Sequence, residues 1–156
     1  MKKAVSILMA LILGTGLSIS GEVQVQASDS IECIDGSYLL DDVTEDVGNL
    51  GISTRGYYLS SGTSSIVDNG SGKIAAGGDT AAHRIVDDIS ITVVVQRLVN
   101  GSWQDYLTWS ASKTNAAYIS TSKVLYVPTG YYYRVSCTHF ASSDTGFSNT
   151  NGIYID

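Results

Sequence analysis

Residues 89–98, Ile89-Ser90-Ile91-Thr92-Val93-Val94-Val95-Gln96-Arg97-Leu98, decide the fold class. Ile89, Ile91, Val93 and Val95 recur at period two, so one face of an extended chain is apolar, while Ser90, Thr92, Val94 and Gln96 occupy the other. Asn100-Gly101 follows at once and supplies the two positive-φ positions that a type I′ hairpin turn requires. The chain is thereby predicted to return through Trp103–Ser110, with Leu107 and Trp109 inward and Tyr106 and Thr108 outward.

The same pattern extends in both directions. Upstream, Tyr57–Ser60 reads as a strand, Asp68-Asn69-Gly70-Ser71-Gly72 as a turn and Lys73–Thr80 as a second strand of small side chains. Downstream, a loop is expected at Lys113–Asn115, a strand at Tyr118–Val127, a sharp turn at Pro128-Thr129-Gly130, and strands at Tyr131–Cys137 and Gly146–Ile155. Ten Tyr, sixteen Gly and a single Pro fit short strands better than helices. The expectation is an all-β chain, a single antiparallel β-sandwich of about seven strands.

Two resemblances accompany this reading. Tyr131-x-Tyr133-Arg134-Val135-x-Cys137 after a Pro-containing turn resembles the sixth strand of fibronectin type III modules, and Gly146-Phe147-Ser148 the entry to their seventh. The likeness implies an immunoglobulin/fibronectin III-like sandwich with Tyr131 as the corner tyrosine. The departure is the absence of Trp in the second strand; Trp103 and Trp109 come later. Arg55–His139 is also similar to an uncharacterised family of small secreted proteins from Gram-positive, Clostridia-like bacteria. That likeness lies in Arg55-Gly56, Gly70-Ser71-Gly72-Lys73-Ile74, Gln96-Arg97, Asn100-Gly101-x-Trp103 and Gly130–Val135. It implies location and fold, and carries no catalytic residue.

Residues 1–27 read as a secretory signal peptide. Lys2 and Lys3 precede the apolar run Ala4–Ile19, and Val25-Gln26-Ala27 places small residues where a signal peptidase reads, so cleavage is expected between Ala27 and Ser28. The run is too short and too interrupted by Gly and Ser to span a bilayer, so we expect a secreted, extracellular protein with no membrane attachment after cleavage. Residues 28–54 hold seven acids and no Lys or Arg, and are expected to be a flexible acidic leader. Residues 55–156 form the predicted sandwich domain.

Cleavage leaves seven basic against fourteen acidic side chains, a balance that argues against nucleic acid as a partner. Cys33 and Cys137 are the only two cysteines. Export would make a disulfide between them reasonable, and two independent thiols are the competing reading.

The chain carries few of the patterns that chemistry requires. His83 and His139 lie near acids but beside no nucleophile elbow, so a hydrolase is the weakest reading. There is no Cys-x-x-Cys or His-Glu-x-x-His, the acids lack calcium-loop spacing, and Gly70-Ser71-Gly72-Lys73 joins two strands rather than opening a helix. No metal and no cofactor are therefore expected. What remains is a surface platform of Val94, Gln96, Tyr106, Tyr132 and Arg134 on the outer face of the sheet, with side chains of the kind enriched at binding hot spots and suited to sugar rings. The reading is a monomeric, non-enzymatic extracellular module that binds a glycan, cell wall or protein; the alternative is a secreted effector or bacteriocin-like protein.

Overall fold

The structure is a computed structural model and describes residues 31–51 and 56–156. The proposed signal peptide, its cleavage point and Arg55 lie outside the described residues. Ile31–Asp156 is one compact unit, all-β, with no helix among the described residues.

Nine strands build it: β1 (Cys33–Ile34), β2 (Ser37–Leu40), β3 (Glu45–Asn49), β4 (Leu59–Asp68), β5 (Lys73–Val99), β6 (Ser102–Tyr126), β7 (Tyr131–Ala141), β8 (Asp144–Asn149) and β9 (Gly152–Ile155). They hydrogen-bond in the order β1-β2-β9-β7-β5-β4-β3, with β6 along β5 and β8 along β7. All pairings are antiparallel except β2 with β9, which makes the sheet mixed and not wholly antiparallel as expected.

The frame is the β5–β6 hairpin. Asn100 and Gly101 turn it with φ of 51° and 75°, the positive values that the Asn-Gly pair predicted. The first half of β5 pairs with β4 through Ala82, and the second half pairs with β7 from Ile89 to Arg97. Between them the β5–β6 register slips from Ala81 to Val86, and the exposed His83, Arg84 and Ile85 lie at this bend. One pair of long strands thus serves both ends of the sheet, which curls so that the ends face each other. The expected loop at Lys113–Asn115 is instead strand, with Asn115 at a φ of 49° within β6 opposite the bend.

Apolar residues of both halves fill the curl. Ile74 and Ala76 point inward from one half, and Ile89, Ile91, Val93 and Val95 from the other, all essentially buried. Two glycines allow the close approach. A Cβ on Gly62 would stand 2.5 Å from the His139 ring, and one on Gly78 would stand 2.2 Å from the Thr63 carbonyl and 3.0 Å from Cys137 Sγ.

Two further expectations are corrected. The leader contributes β1, β2 and β3, because its backbone finds partners in the domain: β3 pairs with β4, and Leu39 and Leu40 lie beside Gly152 and Ile153 of β9. The residue tied back to the Pro128 turn is Tyr133, not Tyr131. The Tyr133 hydroxyl donates to the Pro128 carbonyl at 2.8 Å and its ring is fully buried, whereas Tyr131 is exposed at the rim.

Candidate functional site

The five platform residues do not form one open surface. Gln96 and Arg134 are register partners on the outer face, and Arg134 Nε donates to Gln96 Oε1 at 2.8 Å. Val94 lies two residues along β5 on the same face, between Thr108 and Ser136. Tyr132 shares this face; its ring meets Tyr154 edge-on at 5.2 Å and its hydroxyl donates to Asp41 of the leader. That hydrogen bond, more than partial burial, pushes the Tyr132 hydroxyl up to about 12.

Tyr106 lies elsewhere. The register slips between Val95↔Leu107 and Gln96↔Asp105, so Tyr106 is the extra residue of a bulge. A bulge breaks period two, and the ring turns to the rim of the core, edge-on to Tyr133 at 5.9 Å. Arg97 also stands at this rim, 4.7 Å from the Tyr131 ring centroid and 5.7 Å from that of Tyr106.

The centre of the expected platform is already covered. Arg134 retains 7% exposure, and its Nη1 donates to the Asp35 carbonyl at 3.1 Å and to Ser37 Oγ at 2.9 Å. Trp103 stacks on its guanidinium and donates through Nε1 to the Ile34 carbonyl at 3.0 Å. The β1–β2 hairpin therefore sits on the surface that the sequence offered to a ligand. Burial drives the Arg134 guanidinium below its ordinary value, with the Asp35 charge opposing.

His83 is exposed at the bend of β5, and His139 is paired with two hydroxyls inside the core. His139 is fully buried between Thr80 Oγ1 and Ser148 Oγ, each 2.8 Å from a ring nitrogen, and burial lowers it to about 4. Asp144 is occupied by the backbone amides of Tyr58 and Leu59, which hold its carboxyl below the usual range. Cys33 is exposed and Cys137 is buried, both as free thiols, so the expected disulfide is not formed. Cys137 is buried against the Gly78 strand, its Sγ 3.8 Å from the Gly77 carbonyl, while Cys33 lies at the end of the sheet in β1. Among the described residues no group of three or more His, Cys, Asp or Glu could hold a metal ion.

The open concavity lies on the opposite outer face. Thr63 and Ser65 of β4, Asp79 of β5, and Ser120 and Ser122 of β6 line a trough of about 290 Å³. Cross-strand register builds it: Ser65, Gly77 and Ser122 form one row, and Thr63, Asp79 and Ser120 the next. Gly77 has no side chain, which lets Ser122 of β6 pack close: a Cβ there would stand 2.8 Å from that of Ser122. The Thr63 hydroxyl donates to Asp79 Oδ2, which ties the single carboxylate to the β4 side of the trough. Tyr118, 53% exposed, stands two residues beyond Ser120 on the same face. An acceptor carboxylate, a set of hydroxyls that both donate and accept, and a bordering aromatic ring match the groups of a polyol. The sequence reading missed this site, since its residues come from three strands and only their common phase within each strand was visible.

Residues 26–153 match a family described as a family of unknown function, DUF6147. No curated protein and no solved structure matches the chain.

Proposed function

We propose that the chain, which belongs to this family of unknown function, is a non-enzymatic extracellular module that binds a glycan in the trough around Asp79. The trough is the observation that carries the reading: five hydroxyl or carboxylate side chains from three adjacent strands line one concavity. Sugar hydroxyls pair well with such groups, and a ring face can lie against Tyr118. Export is supported by Lys2, Lys3, the Ala4–Ile19 run and the Ala27-Ser28 junction. A Gram-positive source rests on the resemblances quoted above for Arg55–His139.

We also read the curled sheet as a relative of the immunoglobulin and fibronectin III sandwiches, with its two ends as the layers. The Gly62–His139 and Gly78–Cys137 approaches support that reading, as does the Tyr133 tie to Pro128.

The test is co-sedimentation of the purified protein with washed cell walls and insoluble polysaccharides. Binding that falls about tenfold or more in Asp79→Asn and persists in Tyr132→Ala is expected, since the lost group is a charged acceptor. Absence of sedimentation with every polymer, or equal binding by Asp79→Asn, overturns the glycan reading.

A further inference from the structure

Among the described residues, β6 pairs with β5 along one edge and with nothing along the other. The direction of its backbone groups follows from one hydrogen bond. Val127 N–H donates to the Gly72 carbonyl at 2.8 Å, and the register continues unbroken from Lys73↔Tyr126 to Ala81↔Tyr118. Bonded and non-bonded pairs alternate along an antiparallel ladder. Tyr118, Ser120, Ser122, Val124 and Tyr126 therefore occupy non-bonded positions toward β5, and their amides and carbonyls point out of the free edge. The same five side chains lie on the outer face, where Tyr118, Val124 and Tyr126 are 53%, 61% and 74% exposed.

Free edges are normally blunted by charge, Pro or irregularity. β3, at the other side of this half of the sheet, carries Glu45 and Asp46 in five residues. Tyr118–Tyr126 carries a single charge, Lys123, and no Pro.

We propose that this edge is the interface for a second copy of the chain, paired antiparallel through β6 about a two-fold axis at Ser122. The register is self-complementary. With Ser122 opposite its own counterpart, Tyr118 faces Tyr126 of the second copy and Ser120 faces Val124 of the second copy, each twice by symmetry. Lys123 meets Thr121 of the second copy, so no like charges are opposed. An axis at Ser120 would set Tyr118 against Ser122, and one at Val124 would run Tyr118 past the end of the strand. Only the Ser122 axis uses both exposed tyrosines. Five outward residues on each chain supply about ten hydrogen bonds, the number of an ordinary stable interface.

A monomer was the expectation from sequence; the free edge becomes visible only once β6 is seen to have one neighbour. Because the axis is normal to the sheet, the two troughs abut on one face, a consequence that rests on the glycan reading while the pairing itself does not.

The test is the mass of the full chain by sedimentation equilibrium over a range of concentrations. A monomer–dimer equilibrium is expected, strengthened by salt because each chain carries a net charge of −6. Ser122→Pro removes an amide hydrogen that serves only the free edge, so its thermal midpoint should stay and its dimerisation should weaken about tenfold or more. Val124→Lys changes no backbone group and should weaken pairing likewise, which keeps the test valid if the proline variant misfolds. A chain that is monomeric at every concentration, or a dimer that survives in Val124→Lys or in folded Ser122→Pro, overturns the proposal. These readouts involve no ligand, so failure of the glycan reading leaves them unchanged.

Discussion

The guanidinium of Arg134 lies 4.6 Å from the ring centroid of Trp103, and together they form the seat on which the N-terminal strands rest. Ile34 and Asp35 accept hydrogen bonds from this pair through their carbonyls, and Ser37 through its hydroxyl. β1 has two residues and β2 has four, too few to persist without such anchors. The acidic composition of the leader opposes folding by itself, so its order is borrowed from the domain.

Arg134→Lys tests that dependence. Lysine keeps the charge but lacks the planar fork that reaches Gln96, Asp35 and Ser37 together. Losing charge-assisted hydrogen bonds at a site with little water is expected to cost about 2 kcal/mol. The loss should be local: the Leu39 amide, which donates to the Glu32 carbonyl at 2.8 Å, should exchange faster, while the Val93 amide in the core keeps its protection. Uniform acceleration across both would show that Arg134 holds the whole fold and not the leader.

The thiols give an independent check on the same arrangement. Cys33 is exposed, whereas Cys137 is enclosed and burial pushes its thiol up to about 12, with Asp79 adding to the effect. Thiolate is the reactive form, so Cys137 is doubly protected. One equivalent of a thiol reagent should react per native chain, and two in denaturant without reductant. No reaction in denaturant would mean that the two cysteines are joined.

Burial of His139 makes stability depend on pH. Its folded value of about 4 lies below the ordinary 6.5, chiefly through burial and partly opposed by Asp79. Between those values the unfolded chain binds a proton that the folded chain refuses, so stability is full above 6.5 and falls as pH drops toward 4. The contribution is about 3 kcal/mol in total. Urea unfolding at pH 7 and pH 4.5 should show most of this loss, and His139→Gln should reduce the slope whatever its absolute stability. An equal slope in His139→Gln would assign the pH dependence to other groups.

Local chemistry explains what could be read in the sequence. The Ile89–Val95 alternation and the Asn100-Gly101 turn are encoded within a few residues, and both stand in the structure. The bulge that moves Tyr106 off the platform arises from pairing across two strands and leaves no mark in Trp103–Ser110 itself. The 27-residue length of β5 was hidden because His83–Asp88 interrupts the apolar pattern where the strand bends. β1 and β2 were hidden for a related reason, since Arg134 reaches 99 positions back to Asp35. The trough is a matter of register alone: Thr63, Asp79 and Ser120 become neighbours only when β4, β5 and β6 are aligned.

Closure of the curl can be tested at Gly62. A Cβ there would lie 2.5 Å from Cγ of His139, a ring held at both nitrogens by Thr80 and Ser148 and unable to turn aside. Gly62→Ala should therefore cost about 1–3 kcal/mol by overpacking. His139→Ala alone leaves a cavity and removes a partner from two buried hydroxyls, a loss of similar or larger size. Combined, the new methyl enters the space the ring has left, so the double variant should be less destabilised than the sum of the two single ones. Strict additivity in urea unfolding would mean that the two ends of the sheet are not in contact at this point, and the curl that brings β4 onto β7 would have to be abandoned.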